Sequence, residues 1–174
     1  MLISPEHPRY NDPFELAVRA ADENSFSTIL LAENAGKRPA TYSGENGEIA
    51  ASVAGTVWQE ILRITEAHCK PGQFTTLHAF EWTAAPDGNN LHRNIFFRGI
   101  GPDLPISWFE ARKVEDLWDW VDMSGSQFSP VLAIPHNSNM SGGMIFRPEY
   151  SDGRPMDAAY AQRRAQNEPL FEMI

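Results

Sequence analysis

Two short apolar segments joined by a turn-rich connection constrain the fold of this chain more than any other feature of its sequence. The first segment begins near Thr75 and ends at Glu81 and Trp82, and the second begins at His92. The connection contains Asp87-Gly88, and Asp-Gly readily adopts the positive φ angles that tight turns require. Because the segments read as neighbouring strands, the sequence predicts that Glu81 and His92 lie close together.

A third apolar segment ends on another histidine. Residues 130–135 read as a short buried strand, PVLAIP, which is followed by His136 and Asn137. The ends of strands are where α/β folds present ligands and catalytic groups. Imidazole and carboxylate groups suit zinc, manganese or iron. The sequence therefore predicts that Glu81, His92 and His136 form part of a metal site.

Each of these residues also has a purely structural interpretation, and the residues alone leave both open. Glu81 is consistent with a solvated strand end, His92 with a hydrogen-bonded sheet residue, and His136 with a turn residue beside proline and asparagine. His78 alternates onto the strand face opposite Glu81 and stands among aromatic residues. We therefore predict that His78 is a packed core histidine.

Composition limits the classes of protein that this chain can belong to. Its 174 residues, 42% of them hydrophobic, are enough for one domain with a substantial core, and we expect a single domain over 1–174. The formal charge of −9 argues against binding to nucleic acid or to an anionic membrane, because both rely on clustered Lys and Arg. An anionic substrate stays open, because a bound divalent metal inverts the local field.

Cysteine usage and the apolar segments bear on localisation. Cys69 is the only cysteine, so an intrachain disulfide cannot form. The sequence shows no signal-like start and no apolar run of the ~18 residues that a membrane span needs. We expect a soluble protein, cytoplasmic by default, with the periplasm as the alternative if a signal sequence is missing.

The remaining segments predict alternating helices and strands. Asp12-Pro13 is typical of a helix start, and the periodicity of the second predicted helix places Val57, Ile61 and Ile64 on its apolar face. This alternation favours an α/β layer or barrel over a sandwich. Further elements are predicted as follows: a strand at Ser27–Ala32, helices at Ala51–Cys69, Lys113–Met123 and Met156–Glu168, and a strand at Leu170–Ile174. The last strand has no turn after it, which we interpret as a sign of truncation.

Three sequence phrases resemble a known family. They are Phe80–Thr83 (FEWT), Gly88–Arg98 (GNNLHRNIFFR) and Ala133–Asn137 (AIPHN), the last followed by Ser141-Gly142-Gly143. In this order they resemble bacterial proteins of uncharacterised function related to the PHP (polymerase and histidinol phosphatase) superfamily of metal-dependent phosphoesterases. Weaker similarity extends over most of the chain.

The resemblance implies an incomplete distorted (β/α) barrel of PHP type with a metal centre at the ends of its strands. In it, Glu81 corresponds to a carboxylate ligand, and His92 and His136 to two histidine ligands. Glu33, with Asn34, stands where the superfamily has Asp-His, and is a weaker oxygen ligand candidate. The His-x-His and Asp-x-His pairs of the superfamily's first and last strands are absent from this sequence, so we expect a barrel that lacks those strands and an incomplete centre.

Two further residues are candidates for substrate binding. Arg93 could clamp a phosphate if it reached the same pocket, although strand alternation points it to the opposite face from His92. Asn137, next to His136, is a second, weaker candidate.

The resemblance implies a metal-dependent hydrolase, with a phosphate ester as small-molecule substrate and metal-activated water as nucleophile. Two alternatives stay open: hydrolysis of amide or lactone bonds by similar ligands, and a non-catalytic remnant or binding module. Unpaired strand edges in an incomplete barrel would also favour a homo-oligomer.

Overall fold

The computed structural model describes residue 5 and residues 10–34, 55–128 and 130–173. These residues form five helices and three strands of a mixed α/β fold. In chain order the elements are α1 (Pro13–Ala20), α2 (Glu23–Asn34), α3 (Thr56–His68), β1 (His78–Trp82), β2 (Arg93–Phe97), α4 (Val114–Phe128), β3 (Val131–Pro135) and α5 (Ala158–Asn167). Short 3-10 turns at Pro86–Gly88, Ser138–Met140 and Met144–Phe146 complete the loops.

The three strands form one antiparallel sheet in the order β1-β2-β3. Phe80 pairs with Ile95 in the first ladder, and Ile95 pairs with Ala133 in the second. The sheet is open at both edges within the described residues, so the barrel that the resemblance implied is not seen there. The coarser expectation of a mixed α/β protein is confirmed.

One face of the sheet packs against α4 and forms the core. Alternate residues of β2 are buried, with Ile95 and Phe97 both essentially inaccessible to solvent. They contact Leu117 and Val121 of α4 and Ala133 of β3 in a single apolar cluster. Full burial of a side chain such as Ile95 stabilises the fold by about 1.5–3 kcal/mol. This packing fixes the sheet and with it the positions of the residues on its opposite face.

The strand predicted at Ser27–Ala32 is wrong, because these residues lie within helix α2. A short apolar run is compatible with either a strand or a helix, and here the residue that caps the first turn favours the helix. The Asp22 carboxylate accepts a hydrogen bond from the backbone N–H of Ser25 at 3.1 Å, which satisfies a donor of the first helical turn. Glu33 therefore lies near the end of a helix rather than after a strand, and its side chain is outside the described structure.

Helix α3 is confirmed within the predicted range, but its buried face is not the predicted one. Residues 51–54 of that range lie outside the described residues, and the helix ends at His68. Trp58 and Leu62 are buried, whereas Ile61 and Ile64 are more than two-fifths exposed. The Trp58 indole N–H donates to Pro102 O at 2.7 Å, which ties this face to the loop after β2. The aromatic residue therefore sets the rotation of the helix.

The predicted strand at Leu170–Ile174 is also wrong in its described part, since Leu170 to Met173 form no regular element. The Glu172 N–H donates to Pro135 O at 3.2 Å, which joins this segment to the end of β3 without making a ladder. The two helices predicted at Lys113–Met123 and Met156–Glu168 are confirmed with shifted ends. Asp157 caps α5 by accepting the N–H of Tyr160 at 2.8 Å.

No helix in the described part of the chain combines the length and the apolar composition that crossing a bilayer requires.

Candidate metal centre

The antiparallel topology gathers three of the predicted ligands at one end of the sheet. Glu81 lies near the end of β1, His92 directly precedes β2, and His136 directly follows β3. In an antiparallel sheet the end of one strand lies beside the start of the next. The backbone N–H of His136 donates to His92 O at 3.3 Å, which continues the ladder to this edge. The three residues meet although they lie on three different segments.

Strand alternation places all three side chains on the same face. Glu81 pairs with Asn94, and Asn94 pairs with Ile134, so these residues share one face. His92 lies two residues before Asn94, and His136 lies two residues after Ile134. Because side chains alternate along a strand, both histidines are on the same face as Glu81. This face is opposite to the one that packs on α4, and it leaves the carboxylate and both imidazoles partly open to solvent.

The side-chain atoms converge closely. Glu81 Oε1 lies 2.6 Å from His92 Nδ1 and 3.4 Å from His136 Nε2. One ligand atom from each residue lies within 4.8 Å of the other two, and the ring centroids of the two histidines are 5.6 Å apart. Among residues 10–34, 55–128 and 130–173, no other group of three or more His, Cys, Asp or Glu side chains converges in this way.

The loop between β1 and β2 holds His92 in place. Asn90 is buried, and its Oδ1 accepts the backbone N–H of His92 at 2.9 Å. The Asn90 N–H in turn donates to Met140 O at 3.0 Å, which links this loop to the turn after His136. In the same contact zone Gly142 has φ +58°, and a Cβ there would lie 2.3 Å from Asn89 Oδ1. The two ligand-bearing loops therefore pack directly against each other.

The electrostatics of the cluster favour an ionised carboxylate. The short polar contact with His92 lowers the pKa of Glu81 from its ordinary 4.5 to about 2, with a smaller contribution from His136, and these effects outweigh the opposing effect of burial. The Glu81 carboxylate also accepts the Thr83 hydroxyl at 3.2 Å. Glu81 is therefore available as an anionic ligand throughout the physiological pH range.

Glu172 is a member of the site that the sequence interpretation missed. Its Oε2 lies 3.6 Å from His136 Nδ1 and accepts the backbone N–H of Asn137 at 3.0 Å. A carboxylate on one imidazole nitrogen leaves the other free to bind a metal, a common arrangement around metal-binding histidines. A single carboxylate within the apolar segment LFEMI was the available signal, of the same kind that pointed to Glu81.

Arg93 does not join the cluster, in agreement with the expectation from strand alternation. It is 3% exposed on the opposite face, where its Nε donates to Glu168 Oε1 at 3.0 Å. The same carboxylate oxygen accepts the Trp118 indole N–H at 2.9 Å. Arg93 thus joins β2 to α5 and α4 within the fold. It is not in position to bind a substrate phosphate at the cluster of Glu81, His92 and His136.

The other sequence candidates fall into different positions. Asn137 is half-buried beside the cluster in the left-handed conformation, with φ 54°, and this residue type tolerates that conformation. His78 is a packed core histidine as predicted, since it is 3% exposed and its Nδ1 accepts the Gly101 N–H at 2.9 Å. Glu33 is not placed near the cluster by any described contact.

The donor set fits a transition-metal ion. Two ligands of a tetrahedral zinc ion stand ~3.4 Å apart when each lies about 2.1 Å from the metal. The separations of 2.6 and 3.4 Å from the carboxylate oxygen to the two imidazoles are within small side-chain rotations of that value. His136 Nε2 is buried, and its polar contact with Glu81 Oε1 at 3.4 Å is too poorly aligned to count as a hydrogen bond, so this nitrogen fits a metal ligand.

Comparison with known proteins identifies the family of the chain. The family of proteins of unknown function DUF3604 matches residues 7–174, and the chain belongs to this family. No curated protein and no solved structure was found to match the chain.

Proposed function

We propose that this member of the DUF3604 family binds one divalent transition-metal ion through Glu81, His92 and His136 and uses it in hydrolysis. The observation that carries the proposal is the convergence of one oxygen and two nitrogen ligands within 4.8 Å on a solvent-accessible sheet face. Two imidazoles and a carboxylate are a ligand set that zinc, manganese and iron accept, and that leaves coordination positions open for other molecules.

The residues around the ion would have different roles in binding and orienting it. Glu81, ionised at neutral pH, supplies negative charge, and the two histidines supply nitrogen ligands. Glu172 orients His136 through the 3.6 Å contact to its Nδ1. Asn90 fixes the backbone from which His92 projects. A bound ion supplies Lewis acidity, which activates water and neutralises charge on the substrate oxygen.

For the reaction we propose hydrolysis of a phosphate ester, in line with the resemblance to metal-dependent phosphoesterases. The chain's charge of −9 would oppose an anionic substrate, so the metal ion has to supply the attraction locally. We also propose the PHP-type barrel that the resemblance implies. The open three-stranded sheet would then be a part of this barrel. Cleavage of amides or lactones is the alternative within the same chemistry.

A second candidate function is a metal-binding module without catalysis. The observation that favours it is that only three ligands converge among the described residues, whereas two-metal hydrolytic sites need a larger set. Such a module would bind metal with the same three residues and turn over no substrate.

The test is a hydrolysis assay on the full chain reconstituted separately with Zn²⁺, Mn²⁺ and Fe²⁺. Substrates would be 4-nitrophenyl phosphate, leucine 4-nitroanilide and a γ-lactone, with the His92→Ala and His136→Ala variants beside the natural sequence. Phosphate release that requires metal and both histidines supports the proposal. Metal-dependent cleavage of only the anilide or lactone overturns the phosphoesterase assignment, and bound metal without any turnover supports the non-catalytic module.

A further inference from the structure

Asn94 stands next to Glu81 on the middle strand of the sheet. In the register of the strands it pairs with Glu81 of β1 on one side and with Ile134 of β3 on the other. The Cβ atoms of directly paired residues lie about 4.5–5.5 Å apart. His92 comes two residues before Asn94 and therefore shares its face. The Asn94 amide thus projects from the centre of the row, beside the carboxylate and on the same side as both histidines.

The burial of β2 agrees with this orientation. Arg93 and Ile95, the two chain neighbours of Asn94, are 3% and 0% exposed on the core face. Asn94 itself is only half-buried. A molecule that binds at the metal cluster can therefore reach its amide from the solvent side.

The structure gives this amide no partner of its own. No described residue makes a side-chain hydrogen bond with Asn94. Asparagine is depleted in strands, where β-branched and aromatic side chains pack better. An unpaired amide on the middle strand, beside the apolar Ile134, therefore contributes little to the stability of the sheet. This observation points to a role outside packing.

The orientation of the Glu81 carboxylate does not depend on the amide either. Glu81 Oε1 lies 2.6 Å from His92 Nδ1 and 3.4 Å from His136 Nε2, and it accepts the Thr83 hydroxyl at 3.2 Å. These contacts position the carboxylate without Asn94. The N–H groups of the amide are therefore available to another molecule.

The charges at the cluster define what an incoming anion requires. Glu81 and Glu172 both carry carboxylates that face the histidines, and both oppose an anion. Arg93 is paired with Glu168 on the other face and cannot compensate them. Attraction has to come from the metal ion, with neutral donors beside it. In the row formed by Glu81, Asn94 and Ile134, Asn94 alone has a side-chain N–H.

We infer that Asn94 is a substrate-binding residue of the metal centre, whose amide N–H donates to an oxygen of a phosphoryl group bound at the ion. This inference rests on the proposed function and adds a residue to it. An amide donates a hydrogen bond without adding a positive charge that would repel the ion. Zinc favours imidazole and carboxylate ligands, so Asn94 contacts the phosphoryl group and leaves the ion to Glu81, His92 and His136.

The test is titration of the Co²⁺-loaded full chain with inorganic phosphate, the product that the proposed reaction releases. Co²⁺ accepts the same nitrogen and oxygen ligands as zinc, and its visible spectrum changes when an anion joins them. The affinities for Co²⁺ and for phosphate are measured separately. If the natural chain binds no Co²⁺, the metal centre itself is wrong, and the role of Asn94 with it. If it binds Co²⁺ but no phosphate at millimolar concentration, the metal centre stands and the inference is wrong.

Asn94→Leu keeps the approximate shape of the side chain and removes the donor. We expect its Co²⁺ affinity to be unchanged and its phosphate affinity to fall roughly tenfold, the effect of one hydrogen bond. Gln162→Leu removes an amide from an exposed position on α5 and is the matched control, which should change neither affinity. Equal phosphate affinity in the two variants, or loss of Co²⁺ from folded Asn94→Leu, overturns the inference.

A second variant decides the question if Asn94→Leu does not fold. Asn94→Asp is isosteric with the natural residue but has no donor and adds a negative charge. It should keep Co²⁺ and bind phosphate more weakly than Gln162→Leu does. Phosphate binding by Asn94→Asp that is as tight as in this control overturns the inference.

Discussion

His92 Nδ1 lies 2.6 Å from Glu81 Oε1, across the turn that joins β1 to β2. The carboxylate is shared, because His136 Nε2 lies 3.4 Å from the same oxygen. This arrangement depends on the open sheet, which brings the end of β1, the start of β2 and the end of β3 to one edge. The cluster is thus a product of the antiparallel pairing of three strands and does not need a closed barrel.

Replacement of the shared carboxylate should remove most of the metal affinity. Glu81→Gln keeps the shape of the side chain but removes the negative charge that faces both histidines. Loss of an outer partner of a metal ligand typically costs 10–100-fold in affinity, so loss of a direct ligand should cost at least about 100-fold. Titration of Zn²⁺ against a competing chelator measures the change. Glu60→Gln, an exposed helical carboxylate paired with Arg63, is the matched control and should bind as the natural chain does.

Glu172 should act on the metal through His136. Glu172→Gln leaves all three ligands in place but removes the charge 3.6 Å from His136 Nδ1. We expect zinc affinity to fall by about tenfold, less than in Glu81→Gln, because only the orientation and basicity of one ligand change. A fall as large as that of Glu81→Gln would make Glu172 a direct ligand, and an unchanged affinity would remove it from the site.

The lowered pKa of Glu81 predicts a specific pH dependence of stability without metal. Its pKa falls from 4.5 to about 2 on folding, so its ionised form stabilises the fold above pH 4.5, and this contribution is lost as the pH falls towards 2. More than a third of the side chain is exposed, so solvent screening limits the effect to less than about 1 kcal/mol. Thermal unfolding in EDTA should show the natural chain above Glu81→Gln at pH 6 and the difference shrinking between pH 4.5 and 2. A difference that grows in this window would contradict the assignment.

The buried pair between Arg93 and Glu168 should be important for stability. Both side chains are less than 5% exposed, and Arg93→Met leaves the Glu168 charge with only the more distant Arg164. Removal of one partner of a buried pair typically costs about 3–5 kcal/mol. Urea unfolding measures this loss, and Arg63→Gln, in an exposed pair on α3, should change the free energy of unfolding little. A change for Arg93→Met as small as that of Arg63→Gln would contradict the structural role.

Gly142 should be required where the two ligand loops touch. Both Gly142 and Gly153 have positive φ, but a Cβ at Gly142 meets Asn89 Oδ1 at 2.3 Å, whereas one at Gly153 meets nothing within 4 Å. Each substitution by alanine should cost about 1–2 kcal/mol for the left-handed backbone. Gly142→Ala should cost more because Asn89 has to move, and it alone should weaken metal binding. Equal unfolding energies for the two variants would contradict this contact.

The sequence predicted the convergence of Glu81, His92 and His136 better than it predicted the fold. The connection between β1 and β2 is short, so the sequence indicated that Glu81 and His92 are neighbours. His136 follows β3, which is joined to β2 through α4, and it was predicted from its position at a strand end and from the family resemblance. The apolar run at residues 27–32 fits both strand and helix, and the Asp22 cap that decides for α2 is a contact between single atoms. Trp58 is buried instead of Ile61 because its indole contacts the loop at Pro102. The hydrophobic periodicity of the helix does not indicate this contact. Glu172 reaches His136 from a distant segment, so sequence spacing alone could not place it.

The metal content of the purified full chain tests the central claim most directly. Elemental analysis after reconstitution with Zn²⁺, Mn²⁺ or Fe²⁺ and desalting should find close to one ion per chain for at least one of these metals. The double variant His92→Ala with His136→Ala should lose it, while His68→Ala, an exposed histidine at the end of α3, should keep it. No retained metal in the natural chain, or the same content in the double variant, would contradict the proposed centre.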